Sequence, residues 1–537
     1  MNPLRLAILV LLAGMTGAAE LSVGPGKRFV KPSQAAASAH DGDTVSIDAG
    51  VYEGDVCVWK ASNLTLRGVG GLAHMKSGGK VAIGKAIWVL QGDNTTVDGI
   101  EFSGAASPDN NGAGIRLDGT GMAVRNSYFH GNQNGILVGV NPACDILVER
   151  CEFAANGRGD GQTHNLYIGR IRTLTMRWSY SHHAKVGHNL KTRAANNIII
   201  GNRFMDEATG NSSYLVDVPN GGLTFLIGNL IEQGPATSNH GVMVNYGEEG
   251  AANPLQRLYV INNTLVNDCA KGGVFVHIAP TTTLARVENN IFLGEGAPFS
   301  GPVTSKLRNL STTTGVLLDR AAYDYHLLGG SAAVDAGVDP GSADGQVLLP
   351  TSQYVHPKGM EGRIVMGSAP DIGAYEFGVS AAALARRKKG GEAAGEAVVN
   401  KPLVAKAVPQ LVDGKQKEQW ITRLRSAAEG EIAAKREPQF ELSSLRAQAT
   451  LRELRADGTM VVALSGTGEM TVTWGNLNDR DRANLAAGMA RRNDPQLNAL
   501  AACFMFLSGD EPPAREYLMK AGEQGAAVEA AFGLAVK

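Results

Sequence analysis

The sequence predicts an all-β main domain, a single-stranded parallel β-helix, followed by a linker and a small, mostly helical α+β module. The first observation is a repeat in which a β-branched run ends at an aromatic or aliphatic anchor. Successive anchors lie 27, 24, 27, 24, 27, 34 and 27 residues apart, at Phe102, Phe129, Phe153, Tyr180, Phe204, Ile231, Leu265 and Phe292. Such units leave no room for a crossover helix and are shorter than a propeller blade, so each strand should pair with its equivalent one coil away. The 67 glycines and 6% aromatic residues also favour a turn-dense β-structure.

The composition excludes some classes of protein. Fifty Lys and Arg against 51 Asp and Glu leave none of the basic bias that a nucleic-acid-binding protein needs. Five cysteines are too few and too scattered for a disulfide scaffold, although Cys144 and Cys151 are placed either to bridge neighbouring coils or to remain buried thiols.

The chain divides into four predicted segments. Residues 1–19 resemble a secretory signal peptide, with Arg5, a short apolar run and small residues before the cleavage point, so we expect a secreted or periplasmic protein without a membrane span. The β-helix domain is predicted over 20–378. Residues 379–414, rich in Ala, Lys, Arg, Glu and Gly, predict a flexible linker. Residues 415–537 form the accessory module.

Asparagines recur at one place in successive coils, at positions 202, 229, 263 and 290. Asparagine tolerates the left-handed backbone of a tight bend, so we expect these residues to adopt it at the corners. Stacked asparagines can also hydrogen-bond along the column.

In the C-terminal module, a helix is predicted over 415–435 and a hairpin over 449–464, turning at Asp457-Gly458. Further helices are expected over 479–491 with Asn478 as its cap, from Asp494-Pro495 to about Leu507, and after Gly509. No catalytic pattern occurs here, and the module is expected to dock to a surface, a partner or a glycan.

Unusual polar residues concentrate between His164 and Glu249. The segments 164–167 (HNLY) and 188–191 (HNLK) repeat one motif at an offset of 24 residues, so they should stack on consecutive coils. If the intervening aliphatic residues point inward, strand alternation places Asn165, Tyr167, Asn189, Lys191 and Arg193 outward. The next coil adds Asp217, and the one after offers Asn245, Glu248 and Glu249. The predicted surface is a ladder of Tyr167, Lys191 with Arg193, Asp217 and Asn245.

Histidines cluster in the same window, which holds five of the 11 in the chain: His164, His182, His183, His188 and His240. They lack a diagnostic metal spacing. The expected substrate contacts are His164, Asn165, Asn189, His182, His183, Asp217 and Asn245. An ordinary solvated outer face, with Asp217 pairing Lys191 as a structural ion pair, is the alternative.

Two segments, GDTVSIDAGVYEG at 42–54 and APDIGAYEFG at 369–378, resemble the first and closing parts of secreted bacterial right-handed β-helix proteins of the pectate-lyase-like superfamily. This resemblance implies a right-handed coil and an acidic polysaccharide as partner. The stretch NLKTRAANNIIIGN at 189–202 further resembles the catalytic-lysine coil of the chondroitinase B and alginate lyase family. By position that makes Lys191 the proton abstractor, whereas Asp217 or a neighbour stands where the family has an arginine. The family's acidic Ca²⁺ ligands have no clear equivalent here, so the resemblance leaves open whether a Ca²⁺ ion binds.

The chemistry implied is β-elimination next to a uronate. It needs a cation to neutralise the carboxylate, a base for the C5 proton and an acid for the leaving oxygen. A lysine flanked by cations can have its pKa lowered enough to act as the base. We therefore expect the catalytic groups to be Lys191, Arg193, His188 and Tyr167. A C5-epimerase, a glycoside hydrolase and a non-catalytic glycan-binding or surface-structural β-helix remain the alternatives.

Overall fold

In the computed structural model the described residues are 18–379, 416–442, 447–464, 468–490, 494–508 and 511–532. The chain separates into two compact units, divided between Glu392 and Ala393. The predicted signal peptide, apart from Ala18 and Ala19, and nearly all of the predicted linker lie outside the described residues. The proposed domain boundaries therefore stay predictions.

The first unit is a parallel β-solenoid with three walls, which confirms the predicted fold class. Each coil contributes one strand to each wall, and each strand pairs in parallel with its equivalent in the neighbouring coils. The first wall consists of β1 (Glu20–Val23), β2 (Thr44–Glu53), β4 (Thr65–Lys76), β6 (Thr95–Asp98), β9 (Met122–Arg125), β12 (Asn141–Glu149), β15 (Ile171–Arg177), β18 (Asn196–Ile200), β21 (Gly222–Ile227), β24 (Gln256–Ile261) and β27 (Leu284–Glu288).

The second wall begins with the C-terminal halves of the long strands β2 and β4, which bend through both walls. Its other strands are short, and most turn one anchor residue into the core. They are β7 (Ile100–Ser103), β10 (Tyr128–His130), β13 (Glu152–Ala154), β16 (Tyr180–His182), β19 (Arg203–Met205), β22 (Leu230–Gln233), β25 (Thr264–Asn267), β28 (Ile291–Gly294) and β30 (Leu310–Thr312). The predicted anchor Tyr180 is an exception, because Ser181 takes the inward position of its strand and Tyr180 faces outward.

The third wall is a separate ten-stranded sheet with one strand per coil. Its strands are β3 (Cys57–Trp59), β5 (Ala86–Leu90), β8 (Ala113–Leu117), β11 (Asn134–Val138), β14 (Leu166–Ile168), β17 (Leu190–Thr192), β20 (Val216–Val218), β23 (Val242–Tyr246), β26 (Val274–Ile278) and β29 (Ala297–Ser300). A short helix, α1 (Pro32–Ala36), packs on the core near the first coils.

Aromatic anchors of the predicted repeat stack on one another in the core. Phe102, Phe129 and Phe153 occupy equivalent positions in β7, β10 and β13, and their rings stack with centroids 4.9 Å apart. Each is fully buried, which contributes roughly 1.5–3 kcal/mol per side chain to stability. Cys144 and Cys151 are buried free thiols, which settles the alternative left open by the sequence.

The asparagine column exists as predicted, but its backbone differs from the prediction. Asn202, Asn229, Asn263 and Asn290 are fully buried, and each side-chain amide donates to the side-chain oxygen of the next asparagine, at 3.0–3.1 Å within these four. The expectation that they adopt left-handed φ angles is wrong. That conformation belongs to the residue just before each one: Gly201, Gly228, Asn262 and Asn289. The tight bend therefore lies one residue before each asparagine. The buried side-chain amide then hydrogen-bonds the backbone groups that the bend leaves unpaired.

The last strand that pairs in parallel with the coils is β30. Residues 316–377 fold back onto the outside of the solenoid and make three short antiparallel pairs, β31 (Leu317–Asp319) with β32 (Asp324–Leu327), β33 (Ser342–Ala343) with β34 (Gln346–Val347), and β35 (Ser352–Val355) with β36 (Gly359–Gly362). The first and third pairs pack on the second wall, whereas the part around β33 and β34 packs on the first wall, where Asp344 binds Arg257 and Tyr259. We call this region the closing segment. Its apolar side chains pack on outward residues of the second wall from Tyr180 to Ile291 and Leu293.

The second unit confirms the helices and hairpin predicted for the module. Its elements are α2 (Gln416–Ala433), β37 (Gln439–Leu442), β38 (Ala447–Leu454), β39 (Thr459–Leu464), β40 (Gly468–Thr473), a 3-10 turn (Trp474–Asn476), α3 (Asp479–Ala490), α4 (Pro495–Leu507), α5 (Glu511–Ala521), a 3-10 turn (Gly522–Gly525) and α6 (Ala526–Ala531). The side chains of Asn478 and Asp494 cap α3 and α4. The sequence missed β37 and β40, which complete a four-stranded antiparallel sheet. The docking role stays a prediction.

Across the part of the chain that the structure describes, we find no helix with both the length and the apolar character needed to cross a bilayer.

Candidate functional site

One column of outward side chains runs along the third wall. Strand pairing places Tyr167 beside Lys191, Lys191 beside Asp217, and Asp217 beside Asn245. His277 extends the column by one further coil. The predicted ladder is therefore confirmed in its register, and we call these five residues the third-wall ladder.

Local sequence fixes the direction of the ladder. The strands β14, β17 and β20 have three residues each, and only the central side chain faces away from the core. Leu190 and Thr192, which flank Lys191, are fully buried, as are Val216 and Val218 beside Asp217. A shift of one residue would turn Lys191 into the apolar interior, so core packing holds the register.

Lys191 lies in a closed ion-pair network. Its Nζ is 2.9 Å from Asp217 Oδ2 and 2.9 Å from Glu249 Oε1. The other oxygen of Asp217 accepts a hydrogen bond from Asn245 Nδ2 at 2.7 Å. Only 11% of the Lys191 side chain and 1% of the Asp217 side chain are exposed, so the pair is shielded from solvent although it points outward.

The expected pKa of Lys191 is wrong in sign. The sequence suggested that neighbouring cations would lower it. Burial does favour the neutral amine, but the carboxylates of Asp217 and Glu249 outweigh burial and raise the pKa of Lys191 above its ordinary value. The residue is therefore an ammonium at neutral pH.

Arg193 forms the second cationic position. Its Nε donates to the Tyr167 hydroxyl oxygen at 3.1 Å, and Nη1 donates to Asn220 Oδ1 at 2.6 Å. Nη2 donates to Glu249 Oε2 at 2.5 Å. A shallow pocket of about 310 Å³ lies next to this group and is lined by Tyr167, Arg193 and Asn220 among others. Asn220 was missed because it lies in the turn after β20, outside the strand alternation.

Glu249 joins the two cations, one to each of its carboxylate oxygens. It lies in the loop after β23, between Gly247 and Gly250, which both have positive φ angles, and its backbone N–H donates to the Pro219 carbonyl oxygen at 2.7 Å. Burial alone would raise the pKa of Glu249, but hydrogen bonds from Lys191 and Arg193 lower it below its usual value. The loop thus holds a carboxylate over the ladder, a contact that the sequence did not predict.

His164 and His188 lie beside the ladder and are buried. The two rings stack with centroids 4.6 Å apart, and His188 Nε2 is 3.5 Å from Asp217 Oδ2. Backbone N–H groups of His188 and Tyr214 donate to the Nδ1 atoms of His164 and His188, respectively. Burial lowers the pKa of His164 well below its usual value and that of His188 to about 3, so both rings are neutral. His188 lies against Asp217, His164 stacks on His188, and neither ring faces solvent.

Asn165 and Asn189 do not point outward, so their predicted place in the site is wrong. Both are fully buried in a second column of asparagines, in which Asn156 Nδ2 donates to Asn165 Oδ1, and Asn165 Nδ2 to Asn189 Oδ1, each at 2.9 Å. They precede β14 and β17 and occupy the corner of the coil. Strand alternation does not extend through a corner, which is why the prediction failed.

His182 and His183 are not part of the third-wall ladder either. His182 belongs to β16 on the second wall, where its ring stacks on Tyr180 and lies 3.6 Å from Glu152. His183 follows it and contacts His182 Nδ1 and Thr209. The histidine cluster of the sequence is therefore split between two walls.

The ladder does not fit a resident Ca²⁺ ion. The carboxylates of Asp217 and Glu249 converge on one point, and the Lys191 ammonium fills it. Calcium needs six to eight oxygen ligands, and here the available carboxylate oxygens already bind the cationic groups of Lys191 and Arg193 or the amide of Asn245.

No protein-family model matches the sequence, and no curated protein matches it. Among solved structures, the chain is similar to the pectate lyase Pel9A, with a TM-score of 0.41 and 13% identity over 68% of this chain and 97% of that one. It is also similar to the PL6 family alginate lyase AlyGC, with a TM-score of 0.29 and 15% identity over 55% of this chain and 40% of that one. Because these TM-scores and identities are low, the chemistry of the site is argued from its own residues alone.

Proposed function

We propose that the chain is a secreted polysaccharide lyase that cleaves a uronate-containing glycan by β-elimination on the third-wall ladder. One observation supports this most directly. Lys191 and Arg193 hold a single carboxylate, that of Glu249, on an outward face of the solenoid. A uronate presents the same group, so Glu249 occupies the position that a substrate carboxylate would take.

Neutralising the carboxylate is the first requirement of the reaction. A charged uronate holds its C5 proton firmly, and pairing the carboxylate with a cation makes that proton more acidic. Arg193 suits this role because its guanidinium stays charged at every working pH and binds carboxylates through two N–H groups. Tyr167 lies next to it and offers its hydroxyl proton to the departing O4.

Lys191 is the proposed base, and its environment sets a condition on the reaction. The amine must lose its proton before it can accept the C5 proton, yet Asp217 and Glu249 raise its pKa. Displacement of Glu249 by substrate removes one direct salt-bridge partner while Asp217 stays in place. We therefore expect turnover to increase towards alkaline pH, as the free-amine fraction of Lys191 grows.

The test is a substrate panel of alginate, pectate and glycosaminoglycans, read by ultraviolet absorbance of the unsaturated product, with and without chelator. Lys191→Ala should abolish turnover, whereas Lys185→Ala, which changes an exposed lysine outside the ladder, should not. Circular dichroism of each variant checks the fold. Product formation by a folded Lys191→Ala variant, or none by the wild-type protein on any substrate, would contradict the proposal.

A non-catalytic glycan-binding protein is the second candidate, favoured by the same raised pKa of Lys191. Once an incoming carboxylate has displaced Glu249, a lysine that stays protonated beside Asp217 can bind that anion but cannot remove a proton. This candidate predicts uronate binding without product at any pH, and predicts that Lys191→Arg keeps the affinity. The lyase predicts that Lys191→Arg binds substrate but does not turn it over.

A further inference from the structure

A second group of polar side chains lies on the outer face of the second wall, away from the third-wall ladder. His74, Glu101 and His130 come from β4, β7 and β10, three successive coils. The neighbours Met75, Phe102 and Phe129 are fully buried in the core, so alternation turns these three outward. We call this group the His74–Glu101–His130 cluster.

The three side chains converge. His130 Nε2 lies 2.9 Å from Glu101 Oε1, and His74 Nε2 lies 3.5 Å from the same oxygen. One nitrogen or oxygen atom from each residue falls within 4.8 Å of the others. Two ligands bound tetrahedrally to one zinc-sized ion are roughly 3.3 Å apart, since each lies about 2.0–2.1 Å from the metal. Small side-chain rotations would bring the three atoms to that spacing.

The donor set selects one class of ion. Two imidazole nitrogens and a carboxylate suit Zn²⁺ and neighbouring divalent transition ions, whereas Ca²⁺ and Mg²⁺ prefer oxygen alone. Lys76, the nearest cation on β4, is paired with Glu53 at 3.2 Å, so its charge is compensated. His74 Nε2 is also hydrogen-bonded to Ser103 Oγ at 2.7 Å, a bond that it would exchange for the metal.

We propose that His74, Glu101 and His130 form a binding site for a divalent transition ion of the Zn²⁺ class. Three protein ligands leave a fourth position for water or a small ligand, as in open zinc sites. The side chains are 18%, 21% and 31% exposed, so an ion reaches them from solvent without opening the fold.

The scaffold makes this site rigid. Each ligand lies on a strand that is paired on both sides, and the stacked rings of Phe102 and Phe129 fix the coils from inside. Binding therefore costs little ordering of the backbone. It would also clamp three consecutive coils together, so metal should raise the melting temperature of the protein.

The experiment uses the full chain without a polyhistidine tag, stripped with a chelator and titrated with Zn²⁺ by calorimetry and with Co²⁺ by visible absorption. We expect one equivalent of tight binding and the intense d–d bands of a four- or five-coordinate site. His74→Ala, His130→Ala and Glu101→Gln should each weaken binding by roughly 10–100-fold or more. His40→Ala, which removes an exposed histidine elsewhere on the solenoid, is the matched control and should bind normally.

Absence of stoichiometric Zn²⁺ binding by the folded wild-type protein would overturn the proposal. So would unchanged affinity in His74→Ala or His130→Ala, because the ion would then lie elsewhere. If a variant unfolds, the Co²⁺ spectrum of Glu101→Gln decides, since that nearly isosteric change keeps the packing. The readout is metal binding, so the outcome does not depend on the lyase proposal.

Discussion

Replacing Glu249 by Gln should strengthen binding of uronate oligosaccharides. The wild-type carboxylate takes one salt bridge from Lys191 and one from Arg193, and a substrate carboxylate must displace both. The amide keeps the size of the side chain and leaves the backbone hydrogen bond to Pro219 intact. Both cations are then freed from Glu249, and Lys191 keeps only its salt bridge to Asp217.

The size of the effect follows from exposure. Glu249 is 48% exposed, so each of its salt bridges is in the range of solvent-screened pairs, about 0.2–1 kcal/mol. Two such pairs amount to roughly 0.5–2 kcal/mol, which corresponds to about a 2- to 30-fold lower Kd. The gain should shrink at high salt, because screening weakens the competitor and the ligand together.

Isothermal titration calorimetry with a uronate oligosaccharide, on wild-type protein and on the variant, measures this directly. Glu248→Gln is the matched control, because the adjacent glutamate in the same loop contacts His277 instead of the two cations. An unchanged or weaker affinity in Glu249→Gln would refute the idea that Glu249 holds the place of the substrate.

Three further outcomes concern stability. Lys191→Met should cost about 3–5 kcal/mol in denaturant unfolding because it leaves the buried Asp217 unpaired, and adding Asp217→Asn should recover most of it. Burial raises the pKa of Glu232 to about 8, so stability present at low pH should be lost as pH rises from about 4.5 to 8. The part that Glu232 contributes is on the order of 5 kcal/mol and should be absent in Glu232→Gln, whereas identical profiles of the wild-type protein and the variant would exclude the shift. Asn229→Ala should cost roughly 2–4 kcal/mol because it interrupts the buried asparagine column, while Asn196→Ala, at a more exposed position, should change stability little.

The fold and the register of the site were predictable because both follow from spacing. The repeated motif at 164–167 and 188–191 placed Tyr167 beside Lys191, and the following coils placed Asp217 and Asn245 correctly. Each of these residues lies between buried, mostly apolar residues that face the core. The alternation of polar and apolar residues along the strand is therefore enough to predict which way each side chain points.

Features that depend on corners and loops were not predictable in this way. Asn165 and Asn189 lie just before their strands, where the chain turns and the two-residue period no longer applies. The pKa of Lys191 is raised by Asp217 on the next coil and by Glu249, which is 58 residues away and reaches it from a loop. Counting charges along one strand gave the wrong sign because the deciding charges come from other coils.

The His74–Glu101–His130 cluster was missed although its signal is present in the sequence. Its members are 27 and 29 residues apart, close to the repeat length, and each is adjacent to a core residue. Searching for local clusters favoured the window 164–249, whereas a solenoid assembles sites from residues separated by whole coils.

The closing segment divides the solenoid into a part that can change length and a part that cannot. From Tyr180 onward, outward apolar residues of the second wall pack on buried side chains of residues 316–377, and further upstream Trp178 Nε1 donates to Ser352 Oγ. Duplicating one coil before Tyr128, which Lys358 of the closing segment contacts, should preserve these contacts and the strand pairing that follows. Deleting one after Tyr180 would displace half of the packed surface by one strand spacing, about 4.8 Å. We therefore expect the protein to tolerate an added repeat before Tyr128, whereas any change of coil number further along should require redesign of the closing segment.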